Sequence, residues 1–178
     1  CCHVDNPFLD AALIGEFIAP SGKRITAEGF YDGSDTWKLR FTPEEEGDWR
    51  YRLRGEGFEA FQEGWLRCKV PHNHGFIRIH PENSYTFAYA DGTPFFPMGD
   101  TCYGLYTDSS ITPELRGKYL KTRRTQHFNF VRMFIQHSPT HWKTDPDFCP
   151  WGGNPDQLDL DRLNPRFFQG LDSVLTEM

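Results

Sequence analysis

The sequence predicts a multi-domain α and β protein: an antiparallel β-sandwich followed by two β/α units of an incomplete barrel. Three observations predict it. Residues 11–70 alternate short aromatic-rich runs with turn residues at even spacing. Pro71-His72-Asn73-His74-Gly75 then breaks that regime. Beyond it the order is strand, helix, strand, long loop, helix, which is the order of βαβα units.

The first part reads as strands at Ala12–Ile18, Lys23–Phe30, Trp37–Phe41, Asp48–Arg54 and Gly64–Val70. Their separators, among them Pro20-Ser21-Gly22, Asp32-Gly33-Ser34 and Gly55-Glu56-Gly57, carry the residues that tight turns require. Trp37, Leu39 and Phe41 alternate with Lys38 and Arg40, and Trp49 and Tyr51 with Arg50 and Arg52, giving each strand one apolar face. These tryptophans are expected in the core, with a sugar-stacking platform as the alternative.

In the second part, Phe76–Ile79 reads as a strand and Asp91-Gly92 as a hairpin turn. Phe95, Phe96 and Met98 form a bulky run expected of a strand covered on both faces, ending at Gly99-Asp100-Thr101. Pro97 offers no backbone donor, so that strand is expected to be short or irregular. Thr112-Pro113-Glu114 supplies an N-cap and a first-turn proline for a helix reaching about Gln126. Phe128–Ile135 reads as a buried parallel strand. Asn164-Pro165 opens a second helix with Phe168, Leu171, Val174, Leu175 and Met178 on one face. A closed barrel needs about 250 residues, so two units are expected here.

Composition excludes several classes. With 178 residues and 16% aromatic content the chain is large enough for a real core, and its net charge of −6 disfavours a nucleic-acid partner. The basic cluster Lys118, Lys121, Arg123 and Arg124 reads as a solvated helix face. No apolar run reaches the roughly 20 residues needed for a membrane span, and no secretory signal is evident. The chain begins with Cys1-Cys2, which reads as a fragment, with a processed N-terminus or a lipid-modified Cys as alternatives. Cys1, Cys2, Cys68, Cys102 and Cys149 are an odd set without repeated spacing, so free thiols are expected. His72-Asn73-His74 lacks further ligands at metal spacing and reads as linker; no cofactor or metal is expected.

Several motifs occur in a recognisable order: Asn6-Pro7-Phe8, Gly29-Phe30-Tyr31-Asp32-Gly33, Arg40-Phe41-Thr42-Pro43 with Gly47-Asp48-Trp49, His74-Gly75, Phe87 to Thr101, and Phe128-Asn129-Phe130-Val131-Arg132-Met133. In these the chain resembles an apiosidase-like group of glycoside hydrolases, many of whose members are known only as domains of unknown function. The resemblance implies an immunoglobulin-like sandwich over residues 1–72 and the N-terminal part of a (β/α)₈, or TIM, barrel over 73–178. Members of the group usually carry a further strand before Asn-Pro-Phe, whereas only Cys1–Asp5 precede it here. The resemblance also implies that the acid/base and the nucleophile stand at the ends of the fourth and seventh barrel strands. No catalytic residue is therefore expected among these residues. Hydrolysis needs two carboxylates, about 5 Å apart for retention and more for inversion, and one side of the cleft at most is expected here.

Candidate substrate-binding residues follow the first two barrel strands, because sites of this fold are built on that face. Asp100 is expected to hydrogen-bond a sugar or position a neighbour, with capping of the loop backbone as the alternative. Arg132, a charge inside an apolar run, should need a partner, and Asp100 is the expected one. Gln136 and His137 follow the strand directly; His137 is a polar binding or packing residue, or an acid/base group. Tyr103, Trp142 and Trp151 are candidate sugar platforms or pins for a long loop.

The expected function is that of part of a glycosidase acting on a carbohydrate substrate, inactive alone. A non-catalytic carbohydrate-binding or adhesion module is the competing class, and a purely structural sandwich the third. An incomplete barrel would leave a strand edge and an apolar face uncovered, an aggregation hazard.

Overall fold

The computed structural model describes residues 4–56, 58, 62–69, 74–135, 146–154 and 156–178. Five strands, β1 (Ala12–Ile18), β2 (Arg24–Tyr31), β3 (Trp37–Leu39), β4 (Gly47–Glu56) and β5 (Gln62–Cys68), pair antiparallel in the order β3-β2-β1-β4-β5. They fall where the turn spacing places them, because alternating aromatic runs bounded by Gly, Pro and Asp leave little choice of register. Phe17 lies opposite Ile25 on β2 and Tyr51 on β4, and Trp49 opposite Leu66 on β5. These residues share the inner face.

Trp49 is 0% exposed and Phe17 nearly so, with Leu39, Phe41 and Leu66 packed around them. Phe41 stacks on Phe17 at 3.8 Å between ring centroids. The Trp49 indole Nε1 donates to the Glu45 carbonyl at 2.9 Å, so burial leaves its polar atom satisfied. Gly47 opens β4 at φ 125, where a Cβ would meet the Pro20 ring at 2.8 Å. Trp65, by contrast, stands 69% exposed on the outer face of β5.

Three further strands, β6 (Ile77–His80), β7 (Asn83–Tyr89) and β8 (Pro94–Phe95), form an antiparallel sheet in that order. Asp91-Gly92 makes the expected turn, with Gly92 at φ 87. The strand expected across Phe95 to Met98 does not continue: Phe96 is 80% exposed and Met98 is exposed too. The reason is Pro97. The Asn129 side chain takes over the ladder there, accepting from Met98 N at 2.9 Å and donating to the Phe96 carbonyl at 2.8 Å.

Strand β9 (Gly99–Thr101) then pairs in parallel with β10 (Phe130–Arg132), and helix α1 (Pro113–Thr125) lies between them in sequence. Thr112 caps α1, its side chain accepting from Leu115 N at 3.3 Å, with Pro113 in the first turn. The helix ends at His127 in the left-handed region, φ 60, and Phe128 N bonds back to the Arg123 carbonyl at 3.0 Å. The buried strand expected over Phe128–Ile135 is only three residues long, and Phe130, Phe134 and Ile135 are exposed.

After a 3₁₀ turn at Pro146–Phe148, β11 (Trp151–Asn154) and β12 (Gln157–Leu163) form a hairpin inside what reads as a long loop. Helix α2 (Pro165–Glu177) follows. Its buried stripe is Phe167, Leu171 and Val174, whereas Leu175 and Met178, expected on that face, are exposed. Residues 1–70 with 142–170 form one compact unit, and 71–141 with 171–178 another.

Candidate functional site

Two short parallel strands carry Asp100 and Arg132, and Tyr103 follows the first of them. In register Asp100 lies beside Val131 and Thr101 beside Arg132, so alternation turns Asp100 and Val131 to one face and Thr101 and Arg132 to the other. Gly99 is required on that second face, because a Cβ there would run into the Phe130 ring. The ladder continues beyond the strands: Cys102 N donates to the Arg132 carbonyl at 2.9 Å and Phe134 N to the Tyr103 carbonyl at 2.9 Å.

Asp100 faces α1. Its Oδ1 accepts from Thr101 N at 2.8 Å, while Oδ2 accepts from the Arg123 guanidinium and, at 3.2 Å, from the Tyr119 hydroxyl. Tyr119 and Arg123 are one helical turn apart, so a single face of α1 presents both to the strand. The Thr101 amide, with Arg123 and Tyr119 behind it, holds the Asp100 carboxyl below its ordinary range. Burial, reinforced by the nearby Asp100 charge, pushes the Cys102 thiol up, and burial raises the Tyr119 hydroxyl as well. A carboxylate held ionised in this way is suited to positioning and unsuited to donating a proton.

The other face is open. The Tyr103 and Phe134 rings stack at 4.3 Å between centroids and 12° between planes. The Arg132 guanidinium lies over Tyr103, 5.5 Å from its centroid. An exposed guanidinium beside stacked aromatics can hydrogen-bond hydroxyls while the rings pack on an apolar surface.

Tyr103 and Arg132 thus come together as the sequence suggests, but the Asp100–Arg132 pair does not form. Arg132 is exposed and escapes the desolvation that would demand a carboxylate partner. The partner of Asp100 is Arg123, which reads in sequence as part of a solvated helix face; its position four residues after Tyr119, on a helix following an acid-bearing strand, is the signal that would have found it. Trp151 sits on β11 in the other compact unit. Gln136, His137 and Trp142 lie outside the described residues. Of the cysteines, Cys68, Cys102 and Cys149 are free thiols, and Cys1 and Cys2 lie outside the described residues. His74 pairs with Asp91, Nδ1 to Oδ2 at 2.7 Å. None of the helices is long and apolar enough to cross a membrane, among the described residues.

Residues 81–178 match the model of the apiosidase-like catalytic domain, and residues 2–56 match a domain of unknown function, DUF5060. The chain is similar, at 31% identity and a TM-score of 0.78 over 97% of its length, to a crystal structure of a "putative glycoside hydrolase" from Bacteroides vulgatus ATCC 8482. It spans 35% of that protein's chain. No curated protein matches it.

Proposed function

The chain belongs to the apiosidase-like family, and from that premise we propose that it forms part of a glycoside hydrolase. In this reading residues 1–72 are an immunoglobulin-like sandwich, and residues 73–178 supply the first two β/α units of a (β/α)₈ barrel. The β11–β12 hairpin is then an insertion between the second barrel strand and its helix.

The observation that carries the reading is the parallel β9–β10 pair bridged by α1, inside the segment that matches the family's catalytic domain. Two further facts support it. Among the described residues β9 and β10 pair only with each other. Their face away from α1 exposes Phe130, which closure of further parallel strands around it would cover. The substrate is a poly- or oligosaccharide, and Arg132 with the Tyr103–Phe134 stack contacts its sugar ring. Asp100 fixes β9 to α1 beneath that surface. Its carboxyl is held ionised, so the proton donor to the leaving group is a different acid, supplied by the rest of the barrel.

By itself the chain is therefore inactive. Incubation with plant and bacterial glycans should give no reducing ends above background, while a polypeptide extended through a complete barrel should hydrolyse at least one of them. Turnover by the chain alone would overturn the division of labour, and an inert extended protein would overturn the glycosidase reading.

A second reading, a non-catalytic carbohydrate-binding or adhesion module, is favoured by Trp65, exposed on β5 directly opposite Arg50. It predicts that Trp65→Ala abolishes glycan binding while changes at Arg132 do not.

A further inference from the structure

Within the first compact unit the Asn6-Pro7-Phe8 turn is held firmly. Asn6 Nδ2 donates to the Asp161 carbonyl at 2.9 Å, and Arg162 Nη2 donates to the Asp5 carbonyl at 2.8 Å. Both bonds fasten the N-terminal turn to β12. The other side is fixed by Asn164, whose amide nitrogen donates to the Cys149 carbonyl and whose backbone N donates to that of Pro150. Between these ties lies a cleft of ≈ 350 Å³, wholly within the first compact unit. That is within the range of roughly 300–1,000 Å³ usual for small-ligand sites.

Its walls have a definite chemistry. Phe8 and Trp151 supply aromatic surface, and Gly152-Gly153 leaves the hairpin backbone without side chains. The charged lining is Arg162, Arg166 and Asp147, an excess of one positive charge in a chain whose net charge is −6. Arg162 is engaged by Asp159 at 3.5 Å as well as by the Asp5 carbonyl. Arg166 is 78% exposed and only 3.8 Å from Asp147, a loose contact that a better-placed anion would displace.

We propose that this cleft binds an anionic sugar residue of a glycan, a pyranose bearing a carboxylate or a sulfate. The inference rests on the glycan reading above and adds a second contact region to it. Trp151 and Phe8 pack on the apolar face of the ring. Arg166 takes the anionic group in a bidentate contact, and Arg162 holds the wall in place.

The test is a titration of the whole chain, followed by nitrogen-edited NMR, with trigalacturonate, a κ-carrageenan oligosaccharide that carries sulfate and no carboxylate, and cellotriose. The indole N–H signal of Trp151 is assigned as the one missing from Trp151→Phe. At least one anionic oligosaccharide should shift it, cellotriose should not, and Arg166→Gln should weaken the anionic complex about tenfold, or by one unit of log Kd. Arg166 is exposed, so its substitution should leave the thermal midpoint unchanged. Which anionic probe binds decides between carboxylate and sulfate. An unmoved Trp151 signal with both anionic probes, equal shifts with cellotriose, or unchanged affinity in Arg166→Gln would each overturn the proposal. These outcomes are separate from those for catalysis, because the glycosidase reading fails by absent turnover in the extended protein and not by the Trp151 signal.

Discussion

The carboxylate of Asp100 on β9 is bound by the guanidinium of Arg123 on α1, and this ion pair makes the first parallel strand and the helix after it one mechanical piece. The tie matters because β9 is three residues long and its ladder alone is short. Whatever the open face of β9–β10 binds depends on the strand being held from behind.

Asp100→Asn should lower the thermal midpoint at neutral pH. Its folded-state carboxyl lies below the ordinary value of 3.8, held there first by the Thr101 amide and then by Arg123. A depressed carboxyl contributes stability that is full above the unfolded value and is lost as pH falls through the folded value. The gap between wild type and variant should therefore close below pH 3.8, as read by thermal melts across pH. A gap independent of pH would show that the charge is not what holds the strand.

A second carboxylate reports on the β7–β8 turn. The Thr93 amide, and after it the His74 ring, hold Asp91 down at about 2. Carboxyl titration by NMR should find Asp91 near that value, and His74→Ala should raise it only part of the way, because the Thr93 bond remains. The linked stability is present above 3.8 and disappears between 3.8 and about 2. Full return to 3.8 on removal of His74 would mean the backbone bond is not formed in solution.

The sequence reveals the five N-terminal strands almost completely, but not that they pair in one sheet or in what order, and it reveals the second unit only in outline. Trp37, Trp49 and Tyr51 alternate with charged residues, and that period fixes which face is buried before any tertiary contact is known. Phe95, Phe96 and Met98 mislead because a run of apolar residues reads alike whether it is covered or not. In this structure Phe96 and Met98 are exposed while Phe95 is half-buried against Tyr89, and Pro97 hands the ladder to the Asn129 side chain. The Asp100–Arg123 pair was hidden for a different reason. It joins residues on two elements whose relative rotation no local pattern encodes, and in the sequence Arg132, a charge inside an apolar run, is the more evident partner. The β11–β12 hairpin has weak alternation and a tight Gly152-Gly153 stretch, so its turn chemistry resembles that of a loop.

Thr107 is 0% exposed, and among the described residues its hydroxyl has no hydrogen-bond partner. Removing an orphaned buried hydroxyl while keeping the shape relieves a desolvation penalty. Thr107→Val should raise stability by about 1 kcal/mol in urea melts. Destabilisation would show that the hydroxyl is satisfied in solution.

Trp49 is the opposite case, a large buried side chain with its nitrogen satisfied. Trp49→Ala should cost about 3–5 kcal/mol through lost contacts and an unfilled cavity. Trp49→Phe should cost less, because the stack of Phe17 on Phe41 keeps a neighbour ring to pack on. Equal losses in the two variants would place the cost in the indole hydrogen bond to Glu45 and not in the volume.

The last turn of α2 is fixed to α1 by a two-point contact. Arg116 Nε and Nη2 donate to the two carboxylate oxygens of Glu177 at 2.8 and 3.0 Å. Arg116 is largely buried while Glu177 is half open to solvent, so the geometry favours a measurable coupling but solvent limits it. A double-mutant cycle with Arg116→Met and Glu177→Gln should return about 1 kcal/mol. The Arg116 bond holds the Glu177 carboxyl low, so that coupling is present at neutral pH and fades as acid protonates Glu177. A coupling near zero at neutral pH would mean that the end of α2 frays, and that the Leu171 and Val174 contacts hold the helix without it.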